Sequence, residues 1–328
     1  MQRRIRSRSG FTLVELLVVI AVIALLLGLM LPAIGSFRAR ARASVSMSNL
    51  RQWGIGYSNF ASDRKGLIPW EGLKDAKDMV TNLNDLQRYW ANAVAPMVDQ
   101  APYADIAVDN ASVPVPPQGS NIFIDPAAQP PVDGSGSFKG WLIPGTTKRF
   151  YFSYVPNSQL NNTLEAQMDA ITDTSDLRAT KNKLNPATNT IRPEWIDARR
   201  MRLSQIKQTA QTPLLLELRS VASELDGAGT VNDKVPQYWH PYYGETLNRH
   251  RGDWQRFGAR HRNGGHLLMA DGHVEWYDNN TACTPKGGSQ PSAAKGKDFN
   301  RDDLTWDPLG PSYMDLSLIH ISEPTRPY

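Results

Sequence analysis

Two hydrophobic patterns follow each other in the first 64 residues of the chain. Residues 16–31 are all apolar or glycine, and the apolar segment extends over 11–34 with Thr12, Glu15 and Pro32 as interruptions. A helix of these 24 residues is about 36 Å long, which exceeds a hydrocarbon core of about 30 Å. The segment therefore predicts a transmembrane helix over 11–34.

The second pattern is a stripe of apolar residues at spacings of three and four. The stripe comprises Ala43, Met47, Leu50, Trp53, Tyr57 and Phe60. It predicts that the helix continues over 35–64 as an amphipathic helix with one buried face. Gly54 and Gly56 each weaken a helix by about 1 kcal/mol relative to alanine, so we expect its last turns to be held against a sheet.

The body of the chain follows at 65–315. Its sequence pattern predicts one globular α+β domain with long loop insertions. Residues 83–94 predict a short helix that ends before Pro96, while 149–155 and 214–218 predict strands. Prolines and glycines accumulate between these elements and predict loops.

The segment 261–277 has the pattern of a β-hairpin. An apolar run precedes Asp271-Gly272, and Val274 and Trp276 then alternate with polar residues. Asp-Gly between two strand-like runs is a strong signal for a two-residue type I′ turn, because both central residues of that turn need positive φ. We therefore expect a hairpin with Asp271 and Gly272 at its tip.

The net charge of the chain is concentrated at its amino terminus. The formal net charge is +4, and Arg3, Arg4, Arg6 and Arg8 lie in the first ten residues without an acidic neighbour. The rest of the chain has 32 basic and 32 acidic side chains, so its composition does not favour a nucleic-acid partner. Arginines before an apolar segment predict a cytoplasmic amino terminus. The single cysteine, Cys283, excludes an intramolecular disulfide.

The junction between this basic leader and the apolar segment resembles the processing site of prepilins, the precursors of type IV pilins and type II secretion pseudopilins. Residues 10–15 are Gly-Phe-Thr-Leu-Val-Glu, and the apolar run follows them directly. An ordinary signal peptide is cut after its apolar run, whereas Gly10 precedes this one. The resemblance implies that a prepilin peptidase cuts between Gly10 and Phe11 and that Phe11 becomes N-methylated.

The resemblance also implies a role in assembly for Glu15. A charged side chain within a membrane segment costs about 2–3 kcal/mol or more and usually has a partner. In a filament whose apolar helices pack in a central bundle, the positive amino terminus of a neighbouring subunit would compensate the carboxylate of Glu15. The alternative is an acid that is tolerated near a helix start, where the helix dipole stabilises it.

A second resemblance lies near the carboxyl end. His261, nine further residues and Asp271-Gly272 form an H-X9-DG motif, which resembles a motif at the carboxyl end of many prepilin-like proteins. Together the two motifs imply a pilin-like α+β fold, with the long helix packed on an antiparallel sheet. One departure is visible, since related proteins often have Cys-Pro where this chain has Asp125-Pro126.

Five of the six histidines lie in one part of the sequence, at His240, His250, His261, His266 and His273. Weak candidates for metal ligands are His261, His266, Asp271 and His273, because imidazole and carboxylate suit zinc and similar metals. Asp271 is already explained as a turn former, so we favour a structural hairpin over a metal site or catalysis, and we expect no metal or other cofactor. If His261 is exposed, its replacement by alanine should cost about 1 kcal/mol or less.

Three classes of function fit these features. The preferred one is a non-enzymatic pseudopilin or minor pilin subunit of a type II secretion or type IV pilus-like filament, processed by prepilin peptidase. The second is a membrane-anchored, exported binding module that uses the pilin leader for display. The third is a metal-dependent enzyme built on the His240–His273 cluster. A body of about 250 residues is large for a bulk filament subunit and favours a minor role.

The preferred function implies a single-pass protein of the bacterial inner membrane, with its amino terminus in the cytoplasm and its body in the periplasm or an extracytoplasmic filament. Its partners would be the prepilin peptidase and methyltransferase, other pilin or pseudopilin subunits and the membrane, not nucleic acid. We divide the chain into a leader at 1–10, a transmembrane helix at 11–34, an amphipathic helix at 35–64 and the body at 65–315. Residues 316–328 resemble a translated sequencing adapter, and we expect them to be a non-native tail.

Overall fold

The structure is a computed structural model of the 328-residue chain. It describes residues 13–69, 89–106, 108–109, 122–130, 141–142, 147–160, 200–219, 257–283 and 301–309. The chain divides between Ser44 and Val45 into two compact units. A helix of 51 residues, α1, spans Leu13–Asp63 and contributes to both units.

The part of α1 in the first unit exposes apolar side chains on all sides. Leu13 is 80% exposed, and Leu29 and Leu31 are each 69% exposed. By length and composition, α1 could cross a membrane. A helix that is apolar around its whole circumference is typical of a membrane span, and this is consistent with the transmembrane prediction for 11–34 from Leu13 onward.

The part of α1 in the second unit buries the predicted stripe. The fully buried members of the stripe are Leu50, Trp53, Tyr57 and Phe60. Met47 is only partly buried. A Cβ atom on Gly56 would lie 2.7 Å from Cγ1 of Val94, so the glycine permits a close approach that any larger residue would prevent. The prediction of an amphipathic helix with one packed face is confirmed.

Two antiparallel sheets follow along the chain. The smaller sheet has the order β1-β3-β2 and comprises β1 (Val108–Asp109), β2 (Trp141–Leu142) and β3 (Lys148–Phe150). The larger sheet has the order β4-β5-β6-β7 and comprises β4 (Tyr154–Pro156), β5 (Pro213–Glu217), β6 (Gly264–Met269) and β7 (Val274–Asp278). The predicted α+β class is therefore confirmed, with α1 packed on the larger sheet.

Short helical segments complete the described structure. They are α2 (Trp90–Ala93), a 3-10 helix at Ala95–Val98, α3 (Tyr103–Ile106), a 3-10 helix at Leu203–Gln205 and α4 (Asn279–Cys283). The helix predicted at 83–94 is thus described only over its last part, as α2, and a 3-10 helix that includes Pro96 follows it.

The prediction of one continuous strand at 149–155 was wrong. Its aromatic sequence continues from β3 into β4, but the two strands belong to different sheets. Between them, the N–H of Ser153 donates to the carbonyl of Phe123, and the carbonyl of Ser153 accepts from Leu218. These hydrogen bonds draw the chain out of one sheet and into the other. The strand predicted at 214–218 is confirmed as β5.

An aromatic core packs against the buried face of α1. The indole of Trp53 packs at 5.0 Å, centroid to centroid, from both Trp90 and Phe123. Its Nε1 donates to the carbonyl of Ile122 at 2.8 Å. Because a buried indole N–H needs a partner, this hydrogen bond ties α1 to the segment 122–130, which carries Asp125.

Candidate functional site

The predicted hairpin is formed by β6 and β7, but its tip is not a two-residue turn. Met269 donates to the carbonyl of His273 at 2.8 Å, and Gly272 donates to the carbonyl of Met269 at 2.9 Å. Gly272 has a φ of 94°, while Asp271 is not in the positive-φ region. The type I′ prediction was therefore wrong. The turn is a three-residue loop with glycine at the left-handed position, the other common hairpin geometry.

A two-residue turn does occur nine residues earlier, at Arg262-Asn263. Arg262 and Asn263 have φ values of 55° and 61°, the positive φ that a type I′ turn needs at both central positions. His261 and Gly264 flank this turn and exchange backbone hydrogen bonds at 2.9 and 3.2 Å. The turn therefore folds His261 back beside the first residue of β6.

The nine-residue spacing of the H-X9-DG motif now has a structural explanation. It contains the two turn residues 262–263, the whole of β6 and one residue of the tip. At about 3.3 Å per residue, β6 separates the tip at Asp271 from the turn after His261 by roughly 20 Å. His261 and Asp271-Gly272 therefore lie at opposite ends of β6.

His261 is buried, since only 6% of its surface is exposed. Its Nε2 lies 2.9 Å from Oδ2 of Asp125 and 3.6 Å from Oε1 of Glu217. Its ring centroid lies 5.0 Å from that of His266. The imidazole is therefore surrounded by two carboxylates and a second imidazole.

Glu217, the last residue of β5, is at the centre of this group. Its Oε1 lies 2.7 Å from Nδ1 of His266 and accepts a hydrogen bond from Oγ of Ser46 at 2.5 Å. The same Ser46 oxygen lies 2.9 Å from Oδ2 of Asp125 and 2.9 Å from the hydroxyl of Tyr154. Ser46 belongs to α1, so the long helix contributes directly to the site.

We call this group the acid–imidazole cluster. It comprises Ser46, Asp125, Tyr154, Glu217, Arg260, His261 and His266. Its members come from α1, the segment 122–130, β4, β5, the residues just before β6, and β6 itself. The cluster therefore links α1, the segment 122–130 and three strands of the larger sheet.

The charged groups of the cluster shift one another's pKa values. Burial by itself would raise the pKa of Asp125, but the hydrogen bond with His261 and the positive charge of Arg260 outweigh it and lower that pKa. Burial likewise opposes a charge on His261, but Asp125 and Glu217 outweigh this and raise its pKa. Burial, reinforced by the two carboxylates, raises the pKa of Tyr154 well above its usual value. Tyr154 is therefore a neutral hydroxyl within the cluster.

Arg260 is the arginine of the cluster. Its Nη1 is 3.9 Å from Oδ2 of Asp125, and its Nη2 donates to the carbonyl of Leu218. The backbone N–H of Ala127 donates to Oδ1 of Asp125 at 2.6 Å. Asp125 is therefore held by a cation, an imidazole, a hydroxyl and a backbone amide, which is how a carboxylate can be buried at an acceptable energetic cost.

The remaining sequence candidates lie elsewhere. Asp271 and His273 form a pair at the hairpin tip, with 2.6 Å between Oδ1 and Nδ1. Their side chains are 36% and 40% exposed. His240 and His250 lie outside the described residues, as do the processing residues Gly10 and Phe11. The structure therefore brings together two of the four metal-ligand candidates and separates them from the other two.

The sequence analysis missed both carboxylates of the cluster. Asp125 stood out only as a departure from a Cys-Pro pattern, and Glu217 was not noted. The signal for Glu217 was an acidic residue inside 214–218, a segment predicted to be a buried strand. A carboxylate in such a place needs a buried partner, and the histidines were available to supply one.

Comparison with known proteins concerns the amino-terminal segment. A family model described as the prokaryotic N-terminal methylation motif matches residues 5–31. No curated protein and no solved structure matches the chain. The matched range includes Gly10, Phe11 and Glu15, and it supports a pilin-like or pseudopilin-like protein that prepilin peptidase processes and that assembles with other pilin subunits. With the apolar part of α1, the match is also consistent with a membrane-anchored protein.

Proposed function

We propose that the chain is a minor pilin or pseudopilin, a non-enzymatic subunit of a type II secretion or type IV pilus-like filament. The observation that carries this proposal is the methylation motif at 5–31, which overlaps a 51-residue helix from Leu13 onward. The first part of the helix is apolar and exposed, and its second part is packed on a sheet. One element thus provides both a membrane anchor and the attachment of a folded body.

The acid–imidazole cluster supports a structural role for the body. Its carboxylates are buried, and each of their hydrogen-bonding partners given above belongs to the protein itself. A catalytic site normally retains an open position for substrate or water. The cluster instead uses its polar groups to hold α1 against the sheet.

Glu15 lies in the first turn of α1, where the resemblance assigns an assembly role. In the mature filament its carboxylate pairs with the amino terminus of a neighbouring Phe11. An ion pair away from water also fixes the axial register of the subunits, because a shift along the axis would leave both charges unpaired.

Mass spectrometry of the mature amino terminus tests the processing step. We expect the mature chain to begin at N-methyl-Phe11. Gly10→Val should remain as a full-length precursor, because a β-branched side chain would crowd the cleavage site. Gly28→Val is the matched control, since a Cβ atom on Gly28 would meet no atom within 4 Å, and it should be processed normally. A mature terminus beyond residue 30 would indicate an ordinary signal peptidase and contradict the proposal.

Incorporation into filaments tests the assembly step. Glu15→Leu should be inserted and processed normally but should be absent from sheared filaments, as measured by immunogold labelling. Glu15→Asp keeps the charge and should retain part of the incorporation. If the processed wild-type protein is absent from filaments, the chain is a membrane-anchored display module instead. If Glu15→Leu is incorporated normally, Glu15 has no pairing role.

A further inference from the structure

The acid–imidazole cluster has a feature that hydrogen bonding alone does not explain. One oxygen of Glu217, Oε2, is buried and has no hydrogen-bond partner among the described residues. Leaving such an oxygen unsatisfied costs about 1–3 kcal/mol, and more for a charged group. A cation bound by the Glu217 carboxylate would offset the cost of burying this oxygen.

We propose that Glu217, His261 and His266 bind a transition-metal ion of the zinc class, with Asp125 as the fourth ligand. One ligand atom from each of the first three residues lies within 4.8 Å of the other two. All three side chains are buried, and none of them belongs to the apolar segment that carries the methylation motif. The metal site therefore does not depend on the proposed filament function.

Three of the separations between ligand atoms are close to those around a small tetrahedral ion. Four ligands at about 2.0–2.2 Å from a zinc ion lie about 3.3–3.6 Å from one another. The three measured separations are 2.7 Å from Glu217 to His266, 2.9 Å from Asp125 to His261 and 3.6 Å from Glu217 to His261. Movements of a few tenths of an ångström in each side chain would therefore bring these atoms to coordinating distance.

The chemistry of the ligands selects the class of metal. Two imidazole nitrogens and two carboxylate groups suit zinc and neighbouring divalent transition metals. Calcium and magnesium prefer sets made only of oxygen ligands, so the two histidines argue against them. A divalent ion would balance the charges of Asp125 and Glu217.

Other members of the cluster would form the outer shell of the site. The hydroxyl of Ser46 lies at 2.5 and 2.9 Å from the two ligating carboxylates, and Arg260 lies 3.9 Å from Asp125. Groups that hydrogen-bond to ligating carboxylates orient them and tune the site. Four protein ligands leave no open position, so the site is structural, and through Ser46 it fastens α1 to the sheet.

Zinc binding by the full-length protein in detergent tests this proposal. The protein is freed of metal with a chelator, dialysed and titrated with zinc chloride by calorimetry. We expect one zinc ion per chain, with binding weakened about tenfold or more in Glu217→Gln. Glutamine keeps the shape of the side chain and can still accept from Ser46. His273→Ala is the matched control, since it removes an exposed imidazole from the same hairpin, and its affinity should equal that of the wild type.

X-ray absorption at the zinc edge of the loaded wild-type protein gives a second measurement that needs no variant. We expect two imidazoles and carboxylate oxygens around the metal, with no sulfur from Cys283. A wild-type protein that binds no stoichiometric zinc would overturn the proposal. A zinc shell without imidazole, or an affinity unchanged in folded Glu217→Gln, would overturn it as well.

Discussion

Removing the imidazole of His261 tests whether the acid–imidazole cluster stabilises the body. In His261→Ala, Asp125 loses the Nε2 partner that lies 2.9 Å from its Oδ2. The side chains of this pair are 5% and 0% exposed, so water cannot readily replace the lost group. The burial of His261 rules out the exposed-histidine case, for which the sequence predicted a cost of about 1 kcal/mol or less.

The expected loss follows from the environment of Asp125. Removing one partner of a buried ion pair costs about 3–5 kcal/mol, because the other charge stays buried without compensation. Asp125 would still keep the hydroxyl of Ser46, the N–H of Ala127 and the nearby charge of Arg260. We therefore expect the lower end of that range, a decrease of about 3 kcal/mol in the free energy of unfolding.

A double-mutant cycle separates the ion pair from the loss of packing. In the Asp125→Asn background, residue 125 carries no charge that needs compensation. His261→Ala should then cost only about 1–2 kcal/mol, the value of a neutral hydrogen bond and some packing. The coupling free energy between the two positions should be at least about 1 kcal/mol.

Urea denaturation of the full-length protein in detergent and chelator measures these values. The nine tryptophans report unfolding by fluorescence, and the midpoint should fall while the slope with urea stays constant. Chelator keeps metal binding out of the comparison. A cost below about 1 kcal/mol for His261→Ala, or an equal cost in both backgrounds, would refute the role assigned to the pair.

Three further variants test the packing by the same urea assay. Gly272→Val forces a β-branched residue into positive φ and should cost about 1–3 kcal/mol, whereas Asp271→Ala should cost about 1 kcal/mol or less; equal effects would contradict the turn geometry. Gly264→Ala would place a Cβ atom 2.2 Å from the carbonyl oxygen of Tyr277 and should cost about 1–3 kcal/mol, so an unchanged midpoint would contradict this packing. Trp53→Ala should cost about 3–5 kcal/mol, while Ile55→Ala on the exposed face should stay within about 0.5 kcal/mol; a small loss for Trp53→Ala would argue against the packed helix face.

Local sequence patterns were sufficient for the elements whose structure depends on neighbouring residues. The helix α1 was predictable because its apolar run is long enough to cross a membrane as a helix and its stripe at 43–60 repeats with the helical period. The hairpin of β6 and β7 was predictable because a turn signal lies between two short apolar runs. The methylation motif is likewise a local signal, and the comparison with known proteins found it in 5–31.

Local patterns failed where contacts with distant segments decide the backbone. The sequence at 149–155 is continuously strand-like, yet hydrogen bonds from Ser153 to Phe123 and Leu218 divide it between two sheets. The alternation in β7 likewise did not indicate its buried face, since Trp276 is 41% exposed while Tyr277 is buried. The indole of Trp276 lies over the turn and donates to the carbonyl of His261 at 2.7 Å.

The sequence predicted the type of these turns only in part. Asp-Gly favours a type I′ turn, but Gly272 alone supplies the positive φ in the observed loop. The turn with two positive φ values uses Arg262 and Asn263, and an arginine is an uncommon residue at such a position. The close pairing of His261 with Gly264 holds that conformation.

The amino-acid sequence by itself determined the apolar segment, the amphipathic helix and the two ends of the H-X9-DG motif. Only the tertiary structure placed Ser46, Asp125, Glu217 and His261 together, although Ser46 is 79 residues from Asp125 and 171 residues from Glu217. Periodicity describes which face of an element is buried, but it carries no information on which distant element covers that face. The partner of a buried charge is chosen by packing, because a carboxylate can be buried only where the fold brings a cation or a hydrogen-bond donor to it.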